Sequence, residues 1–146
     1  MRRLTLCLLS LAVAACARER AERGSQPLAS LLAGTWEGRT FVLATDSGVP
    51  WTNVLSVGAD GALIGSLTYT GTNRPATAVR TADLTDSSVT WEIGPFYSPA
   101  VGAEVNSRAS ARYSGDSIWG TFEARPVAGG EPVRGTFRGK RTHGAM

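Results

Sequence analysis

Histidine and cysteine are nearly absent from this chain, which carries one His and two Cys in 146 residues. Both cysteines, Cys7 and Cys16, precede Ala17, so the chain beyond that point has no thiol pair to form an internal disulfide. The histidine, His143, follows the last strand-like run, and neither a Ser-His-Asp nor a Cys-His nucleophile can be assembled around it. Metal sites that work at neutral pH draw mostly on His and Cys, and Asp60, Asp83 and Asp86 sit in turn-like sequence without the spacing of a calcium loop. Neither a metal nor a cofactor is expected. Glu92 with Glu104 or Glu123 is the nearest approach to an acid–base carboxylate pair, but strand alternation turns such residues outward to solvent. The chain is therefore expected not to be an enzyme.

Long apolar runs and one-sided charge are lacking too. The run from Leu4 to Val13 is too short to cross a hydrocarbon core of ~30 Å as a helix. Lys and Arg number 15 against 12 Asp and Glu, and without Arg2 and Arg3 the balance is 15 − 2 = 13 against 12. Nothing here forms the clustered basic face of a nucleic-acid binder. The local excess of Arg134, Arg138, Lys140 and Arg141 suits either the solvated face of a final strand or contact with anionic headgroups or a polyanion.

What is present begins at the N-terminus. Met1-Arg2-Arg3, the short apolar run and Val13-Ala14-Ala15-Cys16 together resemble the lipobox signal of bacterial lipoproteins. The resemblance implies removal of residues 1–15, a diacylglycerol on the Cys16 thiol and a further acyl chain on its freed amine. Each buried methylene contributes roughly 0.8 kcal/mol, so two or three chains hold a protein on a membrane permanently. An Asp is missing at Ala17, which favours the outer over the inner membrane of the bacterial envelope. Charged, small residues 16–26 read as a tether, 27–142 as a single domain and 143–146 as a frayed tail.

Pro27 opens one short helical turn over Leu28-Ala29-Ser30-Leu31-Leu32, which Gly34 ends. From Thr35 the period becomes two, and runs rich in Val, Thr, Trp, Tyr and Phe alternate with Gly, Asp, Asn, Ser and Pro clusters. Eight strands are predicted: Thr35–Thr45, Thr52–Val57, Ala62–Thr70, Ala76–Leu84, Ser88–Ile93, Ala103–Ser114, Ser117–Arg125 and Pro132–Arg141. Short turns at Gly58-Ala59-Asp60-Gly61, Asp86-Ser87 and Ser114-Gly115-Asp116 make this an antiparallel up-and-down meander. Ile118, Gly120, Phe122 and Ala124, with Val133, Gly135, Phe137 and Gly139, form one face in which small and large residues alternate, as the taper of a small closed barrel requires.

Gly34-Thr35-Trp36 at the start of the first strand, with arginines in the last, resembles the signature of the calycins, the superfamily of lipocalins, fatty-acid-binding proteins and avidins. The resemblance implies an all-β, eight-stranded barrel with Trp36 packed across one end. It also implies a basic residue of the final strand, Arg138 or Arg141, over the indole, a contact worth roughly 0.5 to 2 kcal/mol. Gly58-Ala59-Asp60-Gly61-Ala62-Leu63-Ile64-Gly65 is similar to an early hairpin of bacterial avidins. The avidin contact set does not map onto Glu37, Gly38, Arg39, Trp91 and Trp119, so biotin binding is not implied.

An eight-stranded barrel is either filled by side chains or holds one small ligand. Trp36, Tyr69, Trp91, Tyr113, Phe122 and Phe137 are the expected wall residues; Trp51, Phe96 and Tyr97 are expected at the rim, the last two in a loop spanning Gly94 to Gly102. Gly65, Ala78, Ala109, Ala111, Gly120 and Gly135 either leave room inside or receive the aromatics opposite them. The leading expectation is a lipid-anchored barrel binding a small apolar or amphipathic molecule through the end opposite Trp36. The alternatives are a filled barrel that docks an envelope protein assembly and an inhibitor of an envelope enzyme.

Overall fold

Alternation beyond Gly34 becomes eight antiparallel strands in the computed structural model, which describes residues 27–43 and 46–142. The lipobox-like residues, Cys16, the expected tether and the expected tail from His143 lie outside the described residues, as do Ala44 and Thr45 at the expected end of the first strand. The described residues form helix α1 (Leu28–Leu32) and strands β1 (Gly34–Phe41), β2 (Val49–Val57), β3 (Leu63–Tyr69), β4 (Thr77–Leu84), β5 (Ser88–Ser98), β6 (Ala103–Ser114), β7 (Ser117–Pro126) and β8 (Val133–Thr142). Each strand pairs with the next and β8 returns to β1, so the barrel is closed and offers no free edge. Gly61 and Gly115, at φ 81° and 55°, supply the left-handed residues that two of its tight hairpins need.

β1 ends at Phe41 and several other strand ends shift by a residue, but two boundary differences move aromatics. β2 starts at Val49 instead of Thr52, because Pro50 needs no ladder hydrogen at a strand start, and Trp51 thereby enters the wall. β5 runs through to Ser98 instead of ending at Ile93. Between the pairs Ile93↔Ser107 and Phe96↔Val105, the two residues Gly94 and Pro95 face the single Asn106. This β-bulge places proline where no donor is required and glycine at φ 129°. The extra residue flips the alternation, so Phe96 and Ser98 turn inward while Tyr97 turns out beneath Arg74, 3.9 Å from its ring centre.

One end of the barrel is plugged. Ala29 and Leu32 of α1 are buried over Trp36, Leu55, Leu63, Val89, Ala111, Tyr113 and Ile118. Complete burial of Leu32 alone contributes about 1.5–3 kcal/mol. The outer surface is ordered by charge: Arg80, Glu92, Arg108, Glu123 and Arg134 stand directly opposite one another across β4 to β8. Arg80 and Arg108 bind Glu92, and Arg134 and Arg125 bind Glu123, so both carboxylates point outward and are engaged.

Candidate functional site

At the plugged end the indole and phenol are occupied, while Arg141 Nε, buried without a hydrogen-bond partner, faces the Asp116 carboxylate at 3.3 Å. The Trp36 indole donates to the Leu32 carbonyl at 2.8 Å, and the Tyr113 hydroxyl donates to the Thr85 carbonyl at 2.6 Å. Arg141, the register partner of Trp36, lies 4.5 Å over its ring and donates to the carbonyls of Ala33, at 2.6 Å, and Leu31. The place over the tryptophan therefore belongs to Arg141 and not to Arg138, which pairs with Arg39 in register and lies 5.0 Å over Phe41. Arg141 qualifies because only odd-numbered residues of β8 turn inward, and it stands opposite Trp36 at the helix-covered end.

The other half of the barrel holds a cavity of about 50 Å³, lined by Thr40, Trp51, Asn53, Leu67, Tyr69, Trp91, Ile93, Phe96, Ser98, Ser107, Ala109, Phe122, Ala124 and Phe137. These residues lie on the inward parity of their strands, toward the end bounded by the β1–β2, β3–β4, β5–β6 and β7–β8 connections. Aromatic rings form its walls. Phe137 meets Trp51 edge-on and Trp91 at a tilt, each at 6.4 Å between centres, and Tyr69 stacks with Phe96 at 6.2 Å. Trp51 is seated over glycines, since a Cβ at Gly38 or Gly139 would meet its ring within 2.4 and 2.6 Å. Gly120 and Gly135 receive Phe137 and Phe122 in the same way, so these glycines accommodate aromatics and do not themselves leave empty space.

Polar groups punctuate that apolar wall. The Tyr69 hydroxyl lies against the side chains of Ser98 and Thr40, and burial holds its pKa above the ordinary phenol value despite these hydrogen bonds. Asn53 and Trp91 are 5% and 4% exposed, yet Asn53 Oδ1 and Trp91 Nε1 have no hydrogen-bond partner. Buried polar atoms are normally paired, and an orphan costs roughly 1–3 kcal/mol. Among the described residues no charged side chain lines the cavity.

Neither a family model, nor a curated protein, nor a solved structure matches the chain.

Of the expected wall residues, Tyr69, Trp91, Phe122 and Phe137 come together around the cavity. Trp36 and Tyr113 do not; they are core and cap of the plugged end. Trp51 and Phe96, expected on loops, are strand residues of the wall, and Tyr97 faces away from the cavity. Thr40, Asn53, Leu67, Ile93, Ser98 and Ser107 had not been singled out in the sequence. A signal for one of them was present: Asn53 occupies the inward position between Trp51 and Leu55, where strand alternation calls for an apolar side chain.

A second groove, of about 410 Å³, adjoins the cavity and shares Leu67, Tyr69 and Phe96 with it. It lies where the β3–β4 ladder stops at Leu67↔Thr77 and β5 bulges, and Pro75, Ala76, Pro95 and Tyr97 complete it. The stacked Tyr69–Phe96 pair is the partition between the two. A larger open groove of about 990 Å³ runs along the outer face among Arg80, Glu92, Arg108, Glu123 and Arg134. Its four arginines, Arg125 included, outnumber its two glutamates, whose carboxylates are both paired, and it lacks the unpartnered buried groups of the interior. Among the described residues no group of three or more His, Cys, Asp and Glu is placed to hold a metal ion.

Proposed function

We propose that this protein is a non-enzymatic envelope lipoprotein, anchored through Cys16, whose calycin-like barrel binds a small apolar or amphipathic molecule in its open half. The observation that carries the binding reading is the aromatic-walled cavity with two unpartnered buried polar atoms. Sites of this composition, mostly apolar with a few convergent polar groups, are the usual form of small-ligand sites. A head group fits the 50 Å³ interior, and the groove beyond Tyr69 and Phe96, where Pro75, Ala76 and Pro95 stand beside Thr72 and Arg74, has room for the rest of an amphipathic molecule. The anchor rests on Val13-Ala14-Ala15-Cys16 and the basic start.

Native mass spectrometry of the protein solubilised from its host membrane tests both parts. A small molecule lost on denaturation, with acyl mass retained on Cys16, is the expected result. A chain without acyl mass contradicts the anchor, and a chain that carries its anchor and never a guest contradicts the binding reading.

A second reading has one observation in its favour. Trp119 is 44% exposed on the outside of β7, with Arg112 and Arg138 as its direct cross-strand neighbours. An exposed indole between two cations suits a contact with an envelope protein partner. Trp119→Ala abolishing co-purification of a partner, with the interior empty, would favour this filled-barrel role.

A further inference from the structure

We infer that the guest of this cavity is an uncharged molecule that presents a carboxamide-type head, with an N–H donor and a carbonyl acceptor on separate atoms. The inference rests on the binding reading above and adds the chemistry of what is bound. Trp91 Nε1 is a donor only and Asn53 Oδ1 an acceptor only, and both are buried without partners in the lining of one cavity. A guest that satisfies both must accept from the indole and donate to the amide oxygen. The two side chains stand on β5 and β2, with β3 and β4 between them, so the two functions are best met by two different atoms of the head.

Charge narrows the class further. No Lys, Arg or His lines the cavity among the described residues, so a carboxylate head would be buried without a counter-charge. An ammonium head would fare no better, since no Asp or Glu lines it either. Tyr69 does not change this balance, because burial keeps its hydroxyl protonated at neutral pH. An ester accepts but cannot donate to Asn53. Size agrees: a water-sized centre occupies roughly 10–15 Å³ of such space, so about 50 Å³ admits roughly four heavy atoms. A carboxamide and its α-carbon number the same. The hydroxyls of Thr40, Ser98 and Tyr69, already in mutual contact, are available to meet the second proton and lone pair of the head.

The test is a titration of the ¹⁵N-labelled full chain with pentanamide, sodium pentanoate, methyl pentanoate and 1-pentanol, read at the Trp91 indole N–H resonance, which Trp91→Phe assigns. Pentanamide is expected to shift that resonance downfield and saturably, and to bind about tenfold or more tightly than the other three, each of which leaves at least one of the two buried atoms unmatched. Asn53→Leu, which keeps the volume and removes the acceptor, is expected to weaken pentanamide binding about tenfold and erase its preference over the ester. Trp91→Phe, followed through the Leu67 and Ile93 methyl resonances, removes the donor that the amide and ester carbonyls share and is expected to weaken both. Equal binding of all four probes would overturn the carboxamide assignment while leaving a binding cavity in place. Binding of pentanoate in preference to pentanamide would overturn it as well. No shift of any cavity resonance with any probe would sink the binding reading itself, and this inference with it.

Discussion

Two buried indoles of one barrel have opposite surroundings. Trp36, under helix α1, gives its N–H to Leu32 and its ring face to Arg141, whereas Trp91, in the open half, gives its N–H to nothing. The same division separates Tyr113, which donates to Thr85, from Asn53, whose amide oxygen is unpartnered. The plugged end is completed by the protein's own backbone and spends its polar groups on stability. The open half leaves polar groups unpaired at a cost of roughly 1–3 kcal/mol each, which a guest would relieve under the proposed function.

If that division is real, substitutions at the plugged end should unfold the protein most readily. Trp36→Ala or Leu32→Ala is expected to cost about 3–5 kcal/mol in urea unfolding, since both side chains are at most 1% exposed and the helix cannot collapse into the space left. Arg141→Ala follows at about 2–3 kcal/mol, because two carbonyls and an indole face lose their partner together. Arg138→Ala, three residues earlier, should stay below about 1 kcal/mol, since it offers only an exposed contact with Phe41.

The ionisable groups give smaller, pH-dependent signatures. Burial first, opposed by the Ser98 and Thr40 hydrogen bonds, raises the folded pKa of Tyr69 above 10.0. Its contribution to stability is therefore fully present below about pH 10 and is lost as pH rises through the higher folded value. Tyr69→Phe should flatten part of that alkaline decline; Tyr113, raised by burial and then by Asp86, accounts for the rest. The smallest effect belongs to the outer face. Glu123 is lowered mainly by its hydrogen bond to Arg134, so its stabilising contribution is present above the ordinary carboxylate range and is lost as pH falls through the lowered folded value. Glu123→Gln should remove that acid step, and added salt should weaken it in the parent.

Much of the barrel was legible because period-two alternation and turn chemistry are local. The inward faces of β7 and β8 follow directly from Ile118, Gly120, Phe122 and Ala124 against Val133, Gly135, Phe137 and Gly139. What escaped was set by features that alternation does not carry. The Gly94–Pro95 bulge looks like a loop in sequence, yet it carries β5 onward and exchanges Tyr97 for Phe96 in the wall. Pro50 similarly disguised Trp51 as a loop residue. Arg138 and Arg141 are both basic residues of the last strand, and only the stagger of β8 against β1 decides which covers Trp36. That the end at Trp36 is covered was implied by Gly34-Thr35-Trp36; that Trp36 and Tyr113 are thereby shut off from the cavity depends on the packing of α1 against β2 and β3, a long-range contact with no local signature.

Paired urea unfolding of Trp36→Phe and Trp91→Phe in the guest-free protein tests the division most directly. Both substitutions keep an aromatic ring and remove one indole N–H. The account predicts a loss of about 2 kcal/mol or more for Trp36→Phe, which abandons the Leu32 carbonyl, and a change within about 1 kcal/mol for Trp91→Phe, where relief of an unpaired donor offsets the lost ring volume. Equal losses at the two positions would contradict it, since the cavity indole would then be as fully satisfied by the protein as the one beneath the helix.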